Sequence, residues 1–312
     1  MADLKVFKVD SGSAIELQAS GVALERDLQV LIEKNMENIF GVRFLASEYS
    51  TGKVHRGRID SLGIDETGSP VILEYKRNTN ENVINQGLFY LDWLLDHRAE
   101  FQILVEERLG RDVARSIDWS APRLMCVAGD FNRYDEYAVR QIDRNVELVR
   151  YRVFGSDLLA IELVTSTTTS APTPHKVPAG VKIAKGLVET SAPETTRVAD
   201  RLVKADEQLT NLYSDLEAFI LSLGDDVVKN ERQDYFAFRR LKNFACVEVH
   251  PTSKNLLIYL KLDPRTVEPV EGFIRDVTNI GHFGTGNVEV RIHDRSSWGL
   301  VEELTRRAYE EN

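Results

Sequence analysis

The sequence predicts an α/β fold, a mixed β-sheet flanked by helices, followed by a second, smaller α+β domain. Three observations carry that prediction. Apolar residues recur at helical spacing in some segments and alternate or run unbroken in others, in the order helix, three strands, helices, strand, helix, two strands. A run rich in Thr, Ser, Pro and Ala, from Thr165 to Val198, then breaks the pattern and reads as a linker. Beyond it, periodic segments return. At 312 residues the chain is about twice the usual domain size, so residues 1–164 and 199–312 are expected to form separate domains joined by 165–198.

Each element has its own warrant. Leu24, Leu28, Leu31, Ile32, Met36, Ile39 and Phe40 set a helix from Leu24 to Phe40, and Gly41 is a suitable stop. "VRFLASEYS" follows as a strand. Two more strands, Arg58 to Asp65 and Val71 to Arg77, are split by the strong turn signal "ETGSP". Val83, Leu88, Leu91 and Leu94 restore helical spacing over Asn82 to Asp96, and another helix covers Phe101 to Leu109. "PRLMCVAGD" reads as a short buried strand, Arg133 to Asp143 as a helix, and "VELVRYRVF" and "LLAIELV" as strands. In the second domain, Leu202, Leu209, Leu212, Leu216, Phe219, Ile220 and Leu223 mark one long amphipathic helix. "YFAFRRL", "FACVEVHP" and "NLLIYLKLDP" read as strands. "VEGFIRDVTN" reads as a helix, "NVEVRIHD" as a strand, and "SWGLVEELTRRAYEE" as a closing helix capped by Ser296 or Ser297.

Composition narrows the partners. There is no apolar run long enough to span a membrane and no signal-peptide stretch in "MADLKVFKVD". Cys126 and Cys246 lie far apart inside apolar runs, as core residues of a reducing compartment do, so a cytoplasmic location is expected and a membrane partner is not. The net charge of −10 speaks against non-specific coating of nucleic acid. It leaves room for a local basic groove.

The chemistry gathers in "GRIDSLGIDETGSPVILEYKR". Side chains alternate across a strand, so Ile72, Glu74 and Lys76 share one face. A hairpin register that sets Asp60 opposite Glu74 brings Asp60 to the same patch. Two carboxylates repel unless a cation lies between them. Mg²⁺ takes oxygen ligands and is often held by one or two carboxylates plus phosphate oxygens. In such a centre Lys76 would orient a water or stabilise charge on the transition state. The competing reading is a solvated face with a cross-strand ion pair.

The combination "GRID", a turn, then "EYK" resembles the PD-(D/E)xK nuclease superfamily, and most closely its NucS-type branch of mismatch- and branch-cutting endonucleases. The resemblance covers about residues 20 to 165 and implies a restriction-endonuclease-like core. It implies Asp60 and Glu74 as ligands of Mg²⁺ or Mn²⁺, Lys76 as the catalytic lysine, and Glu33 as an auxiliary metal or water ligand, with Glu37 and Glu48 as weaker substitutes. "QGLFY" matches the family's Gln-x-x-x-Tyr pattern, so Gln86 and Tyr90 would support Lys76 or contact a phosphate. Lys53, His55, Arg56, Arg58 and Arg77 surround the acids, where a nucleic-acid backbone is expected. Arg58 and Arg77 could equally pair with Asp65 and Glu66.

The second domain interleaves Arg232, Arg239, Arg240, Lys242, Lys254 and Lys261 with Tyr235, Phe236, Phe238, Phe244 and Tyr259. That pattern suits a nucleic-acid strand, but a core face backed by a solvated one explains it better. "HFGTGN" is taken as a turn between helix and strand. This half resembles a C-terminal domain type of unsettled function that accompanies nuclease-like and defence-associated proteins. Three functions stand at this point, the third a purely structural interaction protein that dimerises through the Leu202 to Leu223 helix. The first is a divalent-metal-dependent DNA endonuclease of repair or defence, with a homodimer as a soft expectation. The second is a catalytically inactive nucleic-acid-binding or scaffold protein retaining the nuclease fold.

Overall fold

The computed structural model describes residues 4–20, 25–52, 56–76, 83–155, 157–167 and 197–312. They fall into two compact units, divided between Thr168 and Thr169. Most of the expected linker lies outside the described residues, although Thr165 belongs to the last strand of the first unit.

The first unit opens with a hairpin, β1 (Val6–Asp10) and β2 (Ser13–Leu17), and the two-residue strand β3 (Ala19–Ser20). Helix α1 (Glu25–Phe40), β4 (Val42–Ser50), β5 (Arg58–Asp65) and β6 (Pro70–Lys76) follow. Three helices come next, α2 (Val83–Asp96), α3 (Arg98–Leu109) and the short α4 (Arg111–Arg115). The unit closes with β7 (Arg123–Ala128), α5 (Arg133–Val139), β8 (Asn145–Phe154) and β9 (Leu158–Ser166).

Its sheet is mixed, in the order β3-β8-β7-β6-β5-β4, with β9 added to β8. The pairs β4–β5 and β5–β6 are antiparallel, whereas β6–β7 and β7–β8 are parallel. The parallel centre is buried on both faces, which is why "RLMCVA" is an unbroken buried run. Leu62, Ile64, Ile72, Leu124 and Cys126 pack under α2 and α3 in one cluster. On the alternate face, α1 lies over Ser61 and Gly63, where Glu33 and Met36 reach them.

The second unit holds α6 (Val198–Val203), α7 (Glu207–Ser222), β10 (Val228–Glu231), β11 (Phe236–Arg239), β12 (Asn243–His250), β13 (Asn255–Leu260), β14 (Ile274–Asp276), β15 (Val288–Ile292) and α8 (Trp298–Glu311). Its six strands run in the order β10-β11-β12-β13-β15-β14. Two expectations need correction here. The long helix is two helices, because the Asp206 carboxylate accepts from Leu209 N–H at 2.9 Å and starts α7 afresh. "VEGFIRDVTN" holds strand β14 instead of a helix. Gly272 has φ 75°, a left-handed turn that stops helix growth, and Ile274 pairs with Val290.

Candidate active site

Strands β5 and β6 pair from Ile64–Pro70 to Ser61–Leu73. One step further along this register stand Asp60 and Glu74. Here carboxylates replace backbone carbonyls as acceptors. The Asp60 N–H donates to Glu74 Oε1 at 3.2 Å, and the Tyr75 N–H donates to Asp60 Oδ2 at 2.9 Å. Each strand thus offers its acid to the main chain of the other, and two carboxyl groups stand side by side where the ladder ends.

Glu74 is fully buried, and Asp60 partly so. Burial pushes the Asp60 carboxyl up to about 6, against the pull of the Tyr75 N–H and of Lys76. Burial, and then the neighbouring Asp60 charge, push Glu74 up to about 9. Glu74 Oε2 is buried and has no hydrogen-bond partner among the described residues, an arrangement that buried oxygens ordinarily avoid.

Lys76 follows on the same face as Glu74, and its charge lowers both acids. Its Nζ lies 3.4 Å from Glu25 Oε1, on the first residue of α1. Glu25 in turn raises both acids, so it is the α1 carboxylate that bears on the cluster. Glu33, expected in that role, is elsewhere. Its Oε1 accepts from Ser61 Oγ at 2.6 Å and from Gln29 Nε2 at 3.0 Å. Strand alternation turns Ser61 away from Asp60, and Glu33 goes with Ser61 to the face under α1. Gln29, also absent from the sequence reading, is 6% exposed and donates to the Asp60 carbonyl at 2.8 Å. A helix start marks Glu25 only weakly in the sequence, and nothing local marks Gln29.

Gln86 and Tyr90 sit one turn apart on α2, with Gln86 Nε2 donating to Tyr90 OH at 3.3 Å. The same hydroxyl accepts from the Arg58 N–H at 3.3 Å. Tyr90 is 6% exposed. Its ring is buried against Gly57, where a Cβ would stand 2.5 Å from its Cε1. Arg56 and Arg58 are exposed, and Arg58 Nε lies 3.3 Å from Glu48 Oε2, a partner other than Asp65 or Glu66. Asp65 and Arg123 belong to a buried ion group, in which Glu147 is the second acid. His55 and Arg77 lie outside the described residues.

The Asp60–Glu74 pair suits a hard cation: it has two oxygen ligands, one buried and unpartnered, and a negative charge that protons otherwise neutralise. No group of three or more His, Cys, Asp or Glu able to hold a metal occurs among the described residues. Water and substrate oxygens would complete the shell, as they usually do for Mg²⁺.

Residues 198–312 match a family described as a domain of unknown function, DUF5655. An uncharacterized protein of Haemophilus influenzae is 28% identical over 307 residues, covering 98% of this chain and 99% of its own. Two solved structures are similar over 42% of this chain. One is a repair endonuclease from Pyrococcus abyssi, at 20% identity and a TM-score of 0.28; the other is EndoMS in complex with double-stranded DNA, at 21% and 0.24. The match spans about half of each of those chains, 48% and 47%.

In the DUF5655-matching unit the five aromatics interleaved with the basic residues are core. Phe236, Phe238 and Phe244 pack beneath the helices, while Tyr235 and Tyr259 join Cys246 on the other face, and all five are under 9% exposed. Arg232 and Arg239 are buried, Arg240 pairs with Asp226 at 2.6 Å, and Lys254 pairs with Asp206 at 2.7 Å. "HFGTGN" lies between two strands, β14 and β15, and Gly284 packs against Cys246. Both cysteines are buried, and neither forms a disulfide. No helix among the described residues is long and apolar enough to cross a membrane.

Proposed function

We propose that this protein is a divalent-metal-dependent nuclease that hydrolyses phosphodiester bonds, acting on DNA as an endonuclease in repair or defence. The observation that carries the reading is the Asp60–Glu74 pair, with its unpartnered Glu74 Oε2 beside Lys76. Asp60 and Glu74 would hold Mg²⁺ or Mn²⁺. Such an ion, when bound, supplies Lewis-acid stabilisation of charge on the phosphodiester oxygens.

The remaining roles belong to the chain. Glu74, protonated at neutral pH, releases its proton as positive charge arrives. The Tyr75 N–H keeps Asp60 aimed at the pair. Lys76, steered by Glu25, places an ammonium beside the scissile group and stabilises negative charge as it develops. Tyr90, braced by Gln86, fixes the backbone at Arg58, two residues ahead of Asp60. Arg56 and Arg58 offer exposed cations to the phosphates on that side.

The test is incubation of duplex, single-stranded, branched and mismatched DNA with Mg²⁺ or Mn²⁺, with EDTA as control. Cleavage that needs the ion and falls by at least about 100-fold in Lys76→Ala is expected. Cleavage that persists in EDTA, or an unchanged Lys76→Ala, would sink the reading. A second reading, a nucleic-acid-binding scaffold without catalysis, is favoured by the lack of a three-ligand metal group among the described residues. It predicts binding without cleavage under every ion tried.

A further inference from the structure

Helix α5 carries two tyrosines, Tyr134 and Tyr137, that are 69% and 64% exposed. They stand three residues apart, so they are neighbours on one helical face. Each ring has an arginine over it. The Arg133 guanidinium carbon lies 4.9 Å from the Tyr134 centroid, and that of Arg140 lies 5.6 Å from Tyr137. The acids of the helix are less exposed than its tyrosines. Asp135 closes a capping box with Asn132, and both it and Glu136 are only partly exposed. A basic, aromatic face therefore stands out of a chain whose net charge is −10.

This face is firmly mounted. Phe131, two residues before the helix, and Val139, its last residue, are 3% and 0% exposed. Asp130, just before it, accepts from Arg150 Nε at 2.7 Å. Its position is also set. Helix α5 begins shortly after β7 ends at Ala128, and Ala128 is the in-register neighbour of Lys76 across the parallel pair. Cys126, two residues earlier on β7, is likewise the in-register neighbour of Glu74. The first turn of α5 and the carboxylate pair therefore share one end of the sheet.

We propose that Tyr134 and Tyr137, with Arg133 and Arg140, form a stacking platform for unpaired bases of a nucleic-acid strand that passes the Asp60–Glu74 site. The identity of that site rests on the nuclease reading above; the platform itself is a separate binding site. Every base has a π-face, so stacking on tyrosine is tolerant of sequence, and the flanking guanidinium groups meet the phosphates. Paired bases in a duplex offer no free face. The platform therefore favours strands with unpaired segments.

The full chain in EDTA is titrated against a labelled oligothymidylate of about 20 nucleotides and a duplex of equal length, by fluorescence anisotropy. The paired change Tyr134→Ala, Tyr137→Ala is expected to weaken single-strand binding by about 10-fold or more, and duplex binding by no more than about twofold. The pair Tyr134→Phe, Tyr137→Phe keeps the rings and should stay within about twofold of the parent. Photo-crosslinking of an iodouracil oligonucleotide to the unaltered chain should mark α5. The proposal is overturned by an alanine pair that binds single strands like the parent, by crosslinks confined to other elements, or by a parent chain that binds no oligonucleotide. Failure of the nuclease reading looks different: single-strand binding persists, with no cleavage when metal is added.

Discussion

Glu74 holds its proton to about pH 9 because it is buried beside another acid, and Asp60 holds its own to about 6. Both folded values lie above the ordinary ones of 4.5 and 3.8, so between those limits the folded chain binds protons that the unfolded chain has lost. By linkage, this contribution to stability is fully present at acid pH and is lost as pH rises through 6 and then 9. Ion-free protein should therefore become less stable from about pH 5 to about pH 9, and a bound divalent ion should offset the loss. Ion binding must displace those protons, so calorimetric Mn²⁺ affinity should tighten at least about tenfold from about pH 6 to about pH 8. A flat profile would mean the pair is not the ligand set. Asp60→Asn removes a buried charge while keeping an acceptor for Tyr75. At about pH 8 it should stabilise the ion-free protein by on the order of 2 kcal/mol, read from the urea midpoint, and abolish ion-dependent activity.

At the scale of elements, the site exists because β5 and β6 stop pairing where their acids begin. The strands on either side of β6 are held in place by a buried cation. Arg123 on β7 donates to both Glu147 oxygens at 2.9 Å and to Asp65 Oδ2 at 3.0 Å, joining β7 to β8 and β5. Helix α2, which brings Gln86 and Tyr90, lies close on β7 because Gly87 has no side chain. A Cβ there would stand 2.7 Å from Leu124 Cδ2, and Leu124 is fully buried. Gly87→Ala should therefore destabilise by about 1–3 kcal/mol, read as a lower Tm, because the overpacked helix must lift. An unchanged Tm would show that the contact relaxes at no cost.

At the scale of the molecule, each unit has its own core, one beneath α2 and α3 and the other beneath α7 and α8, with no residue in common. A fragment covering residues 197–312 should therefore melt cooperatively by calorimetry without the first unit. It should also be insensitive to Mn²⁺, since the proposed ligands lie in the other unit. A fragment that stays unfolded would show that its core is insufficient alone.

The local period of the chain was enough to place most strands and helices and to put Glu74 and Lys76 on one face, since alternation is a property of neighbouring residues. The turn at "ETGSP" was legible too, but the register that brings Asp60 to Glu74 stayed conditional until the structure showed it, with Asp65 Oδ1 accepting from the Thr67 and Ser69 N–H groups at the turn. What packs against a face is a long-range matter, and there the sequence was silent or misleading. Glu25 and Glu33 both lie on α1, but only docking of the helix decides that the first meets Lys76 and the second meets Ser61. Tyr90 and Tyr134 are equally aromatic on paper; one is sealed against Gly57 and the other stands in solvent. Sequence alone determined which residues carry charge and with what period. Tertiary structure decided which of those charges lost their water, because burial depends on segments far apart in the chain.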